Sequence, residues 1–152
     1  MMKIMFVCHG NICRSTMAEY VFKHMVTQAG LSDRFYITSS ATSREEIGNG
    51  VHYGTRSVLR QHGIPCGDHR AVQLTKEDLD RYDYIIGMDK ANLRNMRRIL
   101  GSEDTKICLL LDFCGKHADI ADPWYTGNFD ETYRDVTAGC TALLRHLTQS
   151  NT

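Results

Sequence analysis

The sequence has no excess of charge of either sign, since its 152 residues include 18 lysines and arginines against 18 aspartates and glutamates. A chain without net charge has no overall field to attract nucleic acid or an anionic membrane surface. We therefore expect neither as a partner. Any preference for an anion has to come from a local site.

Long apolar runs are also missing. No stretch approaches the roughly 20 residues that a membrane-spanning helix needs, and the N-terminal segment MMKIMFVCHG turns polar too early for the apolar core of a secretion signal. The length suits one domain with a core of its own and is too short for two of ordinary size. We expect a single domain over residues 1–152, located in the cytoplasm.

None of the six cysteines forms a Cys-x-x-Cys pair, and the seven histidines are scattered along the chain. These spacings argue against a structural zinc site. A chain of this length with a continuous core does not need disulfides for stability, so the cysteines are predicted to be reduced. The sequence predicts no metal and no cofactor.

Four short apolar runs predict the strands of a buried parallel sheet, because they are rich in β-branched and aromatic residues and do not alternate with polar ones. They span residues 4–7, 35–37, 84–86 and 107–111. Helical patterns lie between and after the strands. The first covers residues 17–26 and stops at Gly30, the second covers residues 51–62 before Gly63, and a third, short helix is opened by Thr75 and Asp78. A fourth helix is capped by Asp89 and carries Leu93, Met96 and Leu100, and the last begins near Asp130 with the apolar residues Val136, Cys140, Leu143 and Leu147. This alternation predicts an α/β fold, a doubly wound three-layer sandwich with a four-stranded parallel sheet and helices on both faces.

The segment CHGNICRS, residues 8–15, lies between the first strand and the first helix, where ligands bind in such folds. The free N–H groups and the dipole at a helix start attract a phosphate-like anion. Gly10 is predicted to allow a tight turn, and Arg14 can grip two oxygens of the anion at once. Cys8 would place its sulfur in this positive field, which favours the nucleophilic thiolate.

Taken singly, Cys8 is better explained as a buried core residue and Arg14 as a solvent-facing side chain. A thiol, a glycine, an arginine and a hydroxyl in one strand-to-helix loop reverse that interpretation. The combination predicts a nucleophilic attack on phosphorus.

The motifs resemble the low-molecular-weight protein tyrosine phosphatase family. Its signature is a cysteine, five residues, an arginine and a serine near the N-terminus, with an Asp-Pro and aromatic pair far downstream. This chain has both, as CHGNICRS and DPWY, and the likeness continues through SSATS, DHRAVQLTKEDL and YDYIIGMDKAN. The resemblance implies a phosphoric monoester hydrolase that acts on phosphotyrosine-containing proteins through a phosphocysteine intermediate.

The resemblance also assigns roles by position. Cys8 is the expected nucleophile, Arg14 with the loop amides holds the phosphoryl oxygens, and Asp122 serves as acid and then as base. The other residues expected to bind phosphate or substrate are His9, Gly10, Asn11, Ile12, Cys13, Ser15, Trp124 and Tyr125, with Ser39 and His69 supporting the loop.

Several of these residues have specific expected tasks. Ser15 would hydrogen-bond the Cys8 sulfur and help it leave, and Asn11 would hold the loop in a strained shape. Trp124 and Tyr125 would form an aromatic wall for a phenyl ring, which favours phosphotyrosine over phosphoserine. Outside this context, an Asp-Pro pair is usually a turn former, and a lone tryptophan is a core residue. Asn11, Ser39 and His69, taken singly, are ordinary surface or capping residues.

Two further roles stay open at the level of sequence. In the family, a second loop cysteine can trap the oxidised nucleophile as a disulfide, which here would join Cys8 and Cys13; Cys13 is equally well explained as a small buried residue. Tyr125 could itself be phosphorylated, as in some relatives.

The chain departs from the family pattern at two positions. Thr16 stands where many members have proline, and Glu45 aligns with a tryptophan of animal members, so the stretch SREEIGNGVHYGTR is closer to bacterial ones. The acidic residue leaves the preferred substrate sequence open. The oligomeric state is open as well.

Other functions of the loop are less well supported by the sequence. Thiol-type arsenate reductases need a further pair of cysteines, and residues 67–107 contain none. Arginine phosphatases typically have threonine at the position of Ile12. A phosphocysteine carrier would gain nothing from Arg14 and Asp122, which hasten loss of the phosphoryl group, and a phosphate-binding module needs no nucleophile.

Overall fold

The computed structural model describes residues 1–149 and contains a parallel sheet in the order β2-β1-β3-β4. The strands are β1 Met2–Cys8, β2 Phe35–Ala41, β3 Tyr84–Gly87 and β4 Ile107–Leu109. The predicted α/β sandwich is thereby confirmed. Cys8 ends the first strand opposite Ala41 of the second, at the carboxyl edge of the sheet.

Helices follow each strand, as the alternating pattern predicts. They are α1 Arg14–Gln28, α2 Tyr53–Gln61, α3 Asp78–Arg81, α4 Lys90–Leu100, α5 Pro123–Thr126 and α6 Phe129–Gln149, with 3-10 turns at Ser32–Arg34 and Leu110–Cys114. Gly30 follows α1 with a φ of 72°, and Asp89 caps α4 in a capping box with Asn92. Both helix signals in the sequence are therefore confirmed.

The predicted fourth strand is wrong at its last two residues. The strand stops at Leu109, and Leu110 and Leu111 belong to a 3-10 turn. The Asp112 carboxylate accepts the Leu109 N–H at 2.9 Å and so closes this turn. Buried leucines in either conformation produce the same apolar run, so the pattern alone does not distinguish them.

The side chains of the central strand β1 alternate between two apolar cores. Ile4 and Phe6 pack among residues of α1, α2 and α6, whereas Met5 and Val7 pack among residues of α4. Helices thus cover both faces, which explains why this strand has a continuous apolar sequence. No helix within residues 1–149 is long and apolar enough to cross a membrane.

Candidate active site

The loop of residues 8–15 joins β1 to α1, and Asn11 within it has a left-handed backbone. Asn11 has a φ of 59° and is the one non-glycine residue with a positive φ among residues 1–149. Gly10 is not in the left-handed region, so the positive φ in the loop belongs to Asn11. A Cβ at Gly10 would lie 3.3 Å from Cγ of Glu46, so the glycine instead allows a close approach of a neighbouring loop.

The Cys8 sulfur lies at the foot of this loop, in a residue that is 3 % exposed. It accepts the backbone N–H of Asn11 at 3.3 Å and that of Ser15 at 3.5 Å, and the Ser15 hydroxyl lies 3.1 Å away. The Ser15 oxygen also accepts Nδ2 of Asn11 at 2.7 Å, which leaves its own proton free to point at the sulfur. Three donors therefore converge on the sulfur, as a nucleophilic thiolate requires.

A buried polar network holds Asn11 from below. Its Oδ1 accepts Nε2 of His69 at 2.7 Å and the backbone N–H of Val72 at 3.3 Å. The Ser39 hydroxyl lies 3.3 Å from Nε2 of His69 and donates to Oε1 of Glu19 at 2.5 Å. The structure thus brings Ser39 and His69 next to the loop, together with Glu19, which the sequence analysis missed because no local motif marks it.

The Arg14 side chain is 2 % exposed, and its guanidinium lies between two carboxylates. Its Nη1 donates to Oδ2 of Asp89 at 2.7 Å and to the backbone carbonyl of Ile120 at 2.9 Å, and its Nη2 donates to Oδ2 of Asp122 at 3.4 Å. Its Nε is buried and has no hydrogen-bond partner in the described chain. Buried donors are nearly always paired, and this nitrogen is an exception.

Asp122 reaches the site from the opposite side, on the loop before α5. Its Oδ1 accepts the backbone N–H of Trp124 at 3.1 Å, so the same carboxylate caps α5 and contacts Arg14. Trp124 is 57 % and Tyr125 82 % exposed, which rules out the alternative that the tryptophan is a core residue. Both residues line the pocket.

The pocket combines three segments of the chain. Its lining residues are Cys8, His9, Gly10, Ile12 and Cys13 of the loop, Glu45 and Glu46 after β2, and Asp122, Trp124 and Tyr125. Of the predicted binding residues, Asn11 and Ser15 lie beneath this surface and are fully buried. Nε2 of His9 contacts Oε2 of Glu45 at 3.2 Å, which places an acidic side chain at the rim.

Cys13 occupies the N-cap position of α1, where its side chain makes no capping hydrogen bond, and is 4 % exposed. Burial, together with the negative charge of Cys8, raises the pKa of Cys13 to about 12. Cys13 is therefore a neutral thiol at physiological pH.

Residues 1–149 contain no group of three or more histidine, cysteine or carboxylate side chains that could hold a metal ion.

The arrangement combines a thiol in an anion-binding loop, a guanidinium beside it and a carboxyl group above it. Such a site can attack a phosphate ester, stabilise the negative charge on the phosphoryl group and supply a proton to the leaving oxygen. Asp89 is a further residue that the sequence analysis missed as part of the site, because its helix-capping signal explained it fully.

Comparisons with known proteins agree with this chemistry. The family model for the low molecular weight phosphotyrosine protein phosphatases matches residues 3–152. The chain is 41 % identical over 147 residues to the low molecular weight protein-tyrosine-phosphatase YfkJ of Bacillus subtilis, covering 95 % of this chain and 94 % of that protein. It is 40 % identical over 149 residues to the human low molecular weight phosphotyrosine protein phosphatase, covering 93 % and 92 %.

Solved structures are similar over the whole chain. The crystal structure of YfkJ matches with a TM-score of 0.95, covering 100 % of this chain and 98 % of that one. A structure described as a Drosophila arginine phosphatase matches with a TM-score of 0.86 at 30 % identity, covering 96 % and 98 %.

Proposed function

The chain belongs to the low molecular weight phosphotyrosine protein phosphatases, and from this premise we propose that it hydrolyses phosphotyrosine in proteins by two-step transfer through Cys8. The observation that carries the assignment to Cys8 is the convergence of two backbone N–H groups and the Ser15 hydroxyl on its sulfur. A sulfur so placed is stabilised as an anion both before attack and after departure.

In the first step the Cys8 sulfur forms a bond to phosphorus while the bond from phosphorus to the tyrosine oxygen breaks. Asp122 supplies a proton to the departing phenolate. Arg14 and the loop amides hold the phosphoryl oxygens, and the buried Nε of Arg14 supports this role because it lacks a protein acceptor.

In the second step a water molecule attacks phosphorus, the bond to sulfur breaks and inorganic phosphate leaves. Asp122 accepts the proton from this water. Ser15 donates to the departing sulfur, a role that its 3.1 Å contact with Cys8 supports. Asn11, held by His69 and indirectly by Ser39, keeps the Ser15 hydroxyl aimed at the sulfur.

The shape of the pocket supports phosphotyrosine as the substrate. The sulfur lies deep in the pocket, whereas Trp124 and Tyr125 stand exposed at the mouth. A phosphorylated phenol is long enough to reach the sulfur with its ring between these side chains, and phosphoserine is shorter. The aliphatic Ile12 in the lining favours a phenyl ring over the guanidinium of phosphoarginine.

We also propose that residues 1–152 act as a single domain and that the protein works in the cytoplasm. All six cysteines, which lie within the described part of the chain, are free thiols. Free thiols, one of them the proposed nucleophile, suit a reducing compartment.

The test is steady-state hydrolysis of phosphotyrosine, phosphoserine and phosphoarginine peptides without added metal. We expect turnover of phosphotyrosine, and a fall in kcat/KM of at least about a thousandfold in Cys8→Ser. Cys66→Ser is the matched control, since Cys66 is a half-buried thiol outside the pocket lining, and it should keep full activity.

Two outcomes would overturn the proposal. A clear preference for phosphoarginine would favour an arginine phosphatase. A folded protein that forms a stable phosphocysteine but turns over none of the three substrates would favour a phosphoryl carrier.

A further inference from the structure

His52 immediately precedes α2 and has a direct contact with the phosphate-binding loop. Its backbone N–H donates to the carbonyl of Ile12 at 2.9 Å. Its side-chain Nδ1 accepts the backbone N–H of Gly54 at 3.0 Å, which caps α2. The backbone of His52 is therefore fixed relative to the loop that carries Cys8.

The His52 ring contacts three other rings. It stacks on Tyr53 at 4.4 Å and on Phe129 at 5.1 Å between ring centroids, and the Trp124 ring meets it edge to face at 5.7 Å. Gly54 makes room for this cluster, because a Cβ there would come within 2.5 Å of the Phe129 ring. The starts of α2 and α6 and the short helix α5 thus meet at one imidazole.

Trp124 also contacts Asp122, the proposed acid. Its backbone N–H donates to Oδ1 of Asp122 at 3.1 Å. The other oxygen of that carboxylate is held by a longer contact, 3.4 Å from Nη2 of Arg14. The placement of Asp122 above the loop therefore depends on where Trp124 sits.

The His52 ring is suited to this position as a neutral group. Burial lowers the pKa of His52, and the carboxylate of Glu46 opposes this shift only in part. An Nδ1 that accepts a hydrogen bond requires the tautomer with its proton on Nε2. A neutral ring stacks between Tyr53 and Phe129 without burying a charge.

We propose that His52 is a positioning residue that sets Asp122 above the phosphate-binding loop through the ring of Trp124. The inference rests on the proposed function, because it assigns His52 an effect on the proton that Asp122 delivers. Capping of α2 is a separate, structural role of the same side chain, and the two are separable by substitution.

Two substitutions separate the positioning role of His52 from its role as the cap of α2. His52→Asn removes the ring and keeps a capping side chain, since asparagine is a strong N-cap residue. His52→Phe keeps an aromatic ring and removes the cap. His62→Asn is the matched control, because His62 stacks on Tyr133 at 4.0 Å at the other end of α2.

The measurement is kcat/KM for a series of aryl phosphates whose leaving phenols differ in pKa, with melting temperatures recorded in parallel. For His52→Asn we expect a loss of about tenfold with poor leaving groups and little loss with good ones, because only poor leaving groups need the acid. His52→Phe should retain most of the wild-type rate with poor leaving groups while melting at a lower temperature. His62→Asn should match the wild type.

The decisive comparison adds His52→Asn to Asp122→Ala. If His52 acts through Asp122, the second substitution should cause no further loss with poor leaving groups. A full additional loss, or an equal loss of His52→Asn with all leaving groups, would overturn the inference. Wild-type protein that fails to cleave aryl phosphates at all would instead contradict the proposed function.

Discussion

At the scale of single residues, Asn11 shows how the loop keeps a strained shape. A left-handed backbone costs a residue with a side chain about 1–2 kcal/mol. Its amide contacts Ser15, His69 and the backbone of Val72, and these bonds offset that cost. The side chain that stabilises the turn also orients the Ser15 hydroxyl, so loop shape and the proposed chemistry depend on the same amide.

Cys13 offers a test of local electrostatics. With its pKa raised to about 12, the Cys13 thiolate fraction near pH 7 is on the order of 10⁻⁵, and it grows tenfold for each pH unit. In Cys8→Ser the charge of Cys8 is absent but burial persists. We therefore expect iodoacetamide to modify Cys13 very slowly at pH 7 and progressively faster above pH 9.

Peptide mass spectrometry of the loop distinguishes Cys13 from the other cysteines. If Cys13 is modified at neutral pH as fast as an exposed thiol, its surroundings do not raise its pKa. The disulfide between Cys8 and Cys13 that the resemblance implies stays a prediction. Oxidation of Cys8 would remove one of the charges that raise the pKa of Cys13.

At the scale of elements, the start of α4 is tied to the site through Asp89. Its Oδ1 accepts the backbone N–H of Asn92 at 2.7 Å and caps the helix. Its Oδ2 accepts Nη1 of Arg14, also at 2.7 Å. The contact with Asn92 can be predicted from the sequence, because the two capping residues are three positions apart. The contact with Arg14 cannot be predicted in this way.

Substitution of Asp89 should separate these two contacts. Asp89→Asn keeps a capping oxygen and loses the charge, so kcat/KM should fall about tenfold, since a hydrogen bond to a charged group contributes roughly 1.5 kcal/mol. Asp89→Ala should also lower the free energy of unfolding by about 1 kcal/mol through loss of the cap. Urea unfolding and aryl phosphate kinetics measure the two effects.

Asp104→Asn is a suitable control, because Asp104 is exposed and its carboxylate likewise accepts a local backbone N–H, that of Lys106 at 3.0 Å. It should leave kcat/KM unchanged. Wild-type activity in Asp89→Asn would mean that the Ile120 carbonyl and Asp122 suffice to orient Arg14.

At the scale of the whole molecule, the site links the sheet edge to segments distant in the chain. The loop of residues 8–15, Asp89 after β3 and Asp122 before α5 come together around one guanidinium. An anion bound there would contact groups that are close together only in the folded chain. Ligand binding should therefore stabilise the fold as a whole.

Orthovanadate or phosphate should raise the melting temperature. At about 100 times its dissociation constant a ligand adds about 2.7 kcal/mol, which for a chain of this length corresponds to about 5–10 °C. Sodium chloride at equal ionic strength should have little effect, and Arg14→Ala should lose most of the shift. The same shift in wild type and Arg14→Ala would place anion binding outside this site.

The sequence by itself determined the order of strands and helices, the caps at Asp89 and Gly30, and the loop of residues 8–15. Each of these depends on neighbours within a few residues, so local periodicity and side-chain type suffice. The left-handed turn at Asn11 is local too, but contacts of its side chain with His69 and the backbone of Val72 select it. The early end of β4 depends on the Asp112 carboxylate, which accepts the Leu109 N–H from three positions away.

Only the tertiary structure decided what surrounds the site. The three hydrogen-bond partners of Arg14 are 75, 106 and 108 positions away in the chain, and the residues of the Asn11–His69 contact are 58 positions apart. His52, in the same way, meets Trp124 and Phe129 only because α2, α5 and α6 converge. No local pattern encodes such pairs: each single side chain suits many environments, and the packing of helices on both faces of the sheet selects the one that forms.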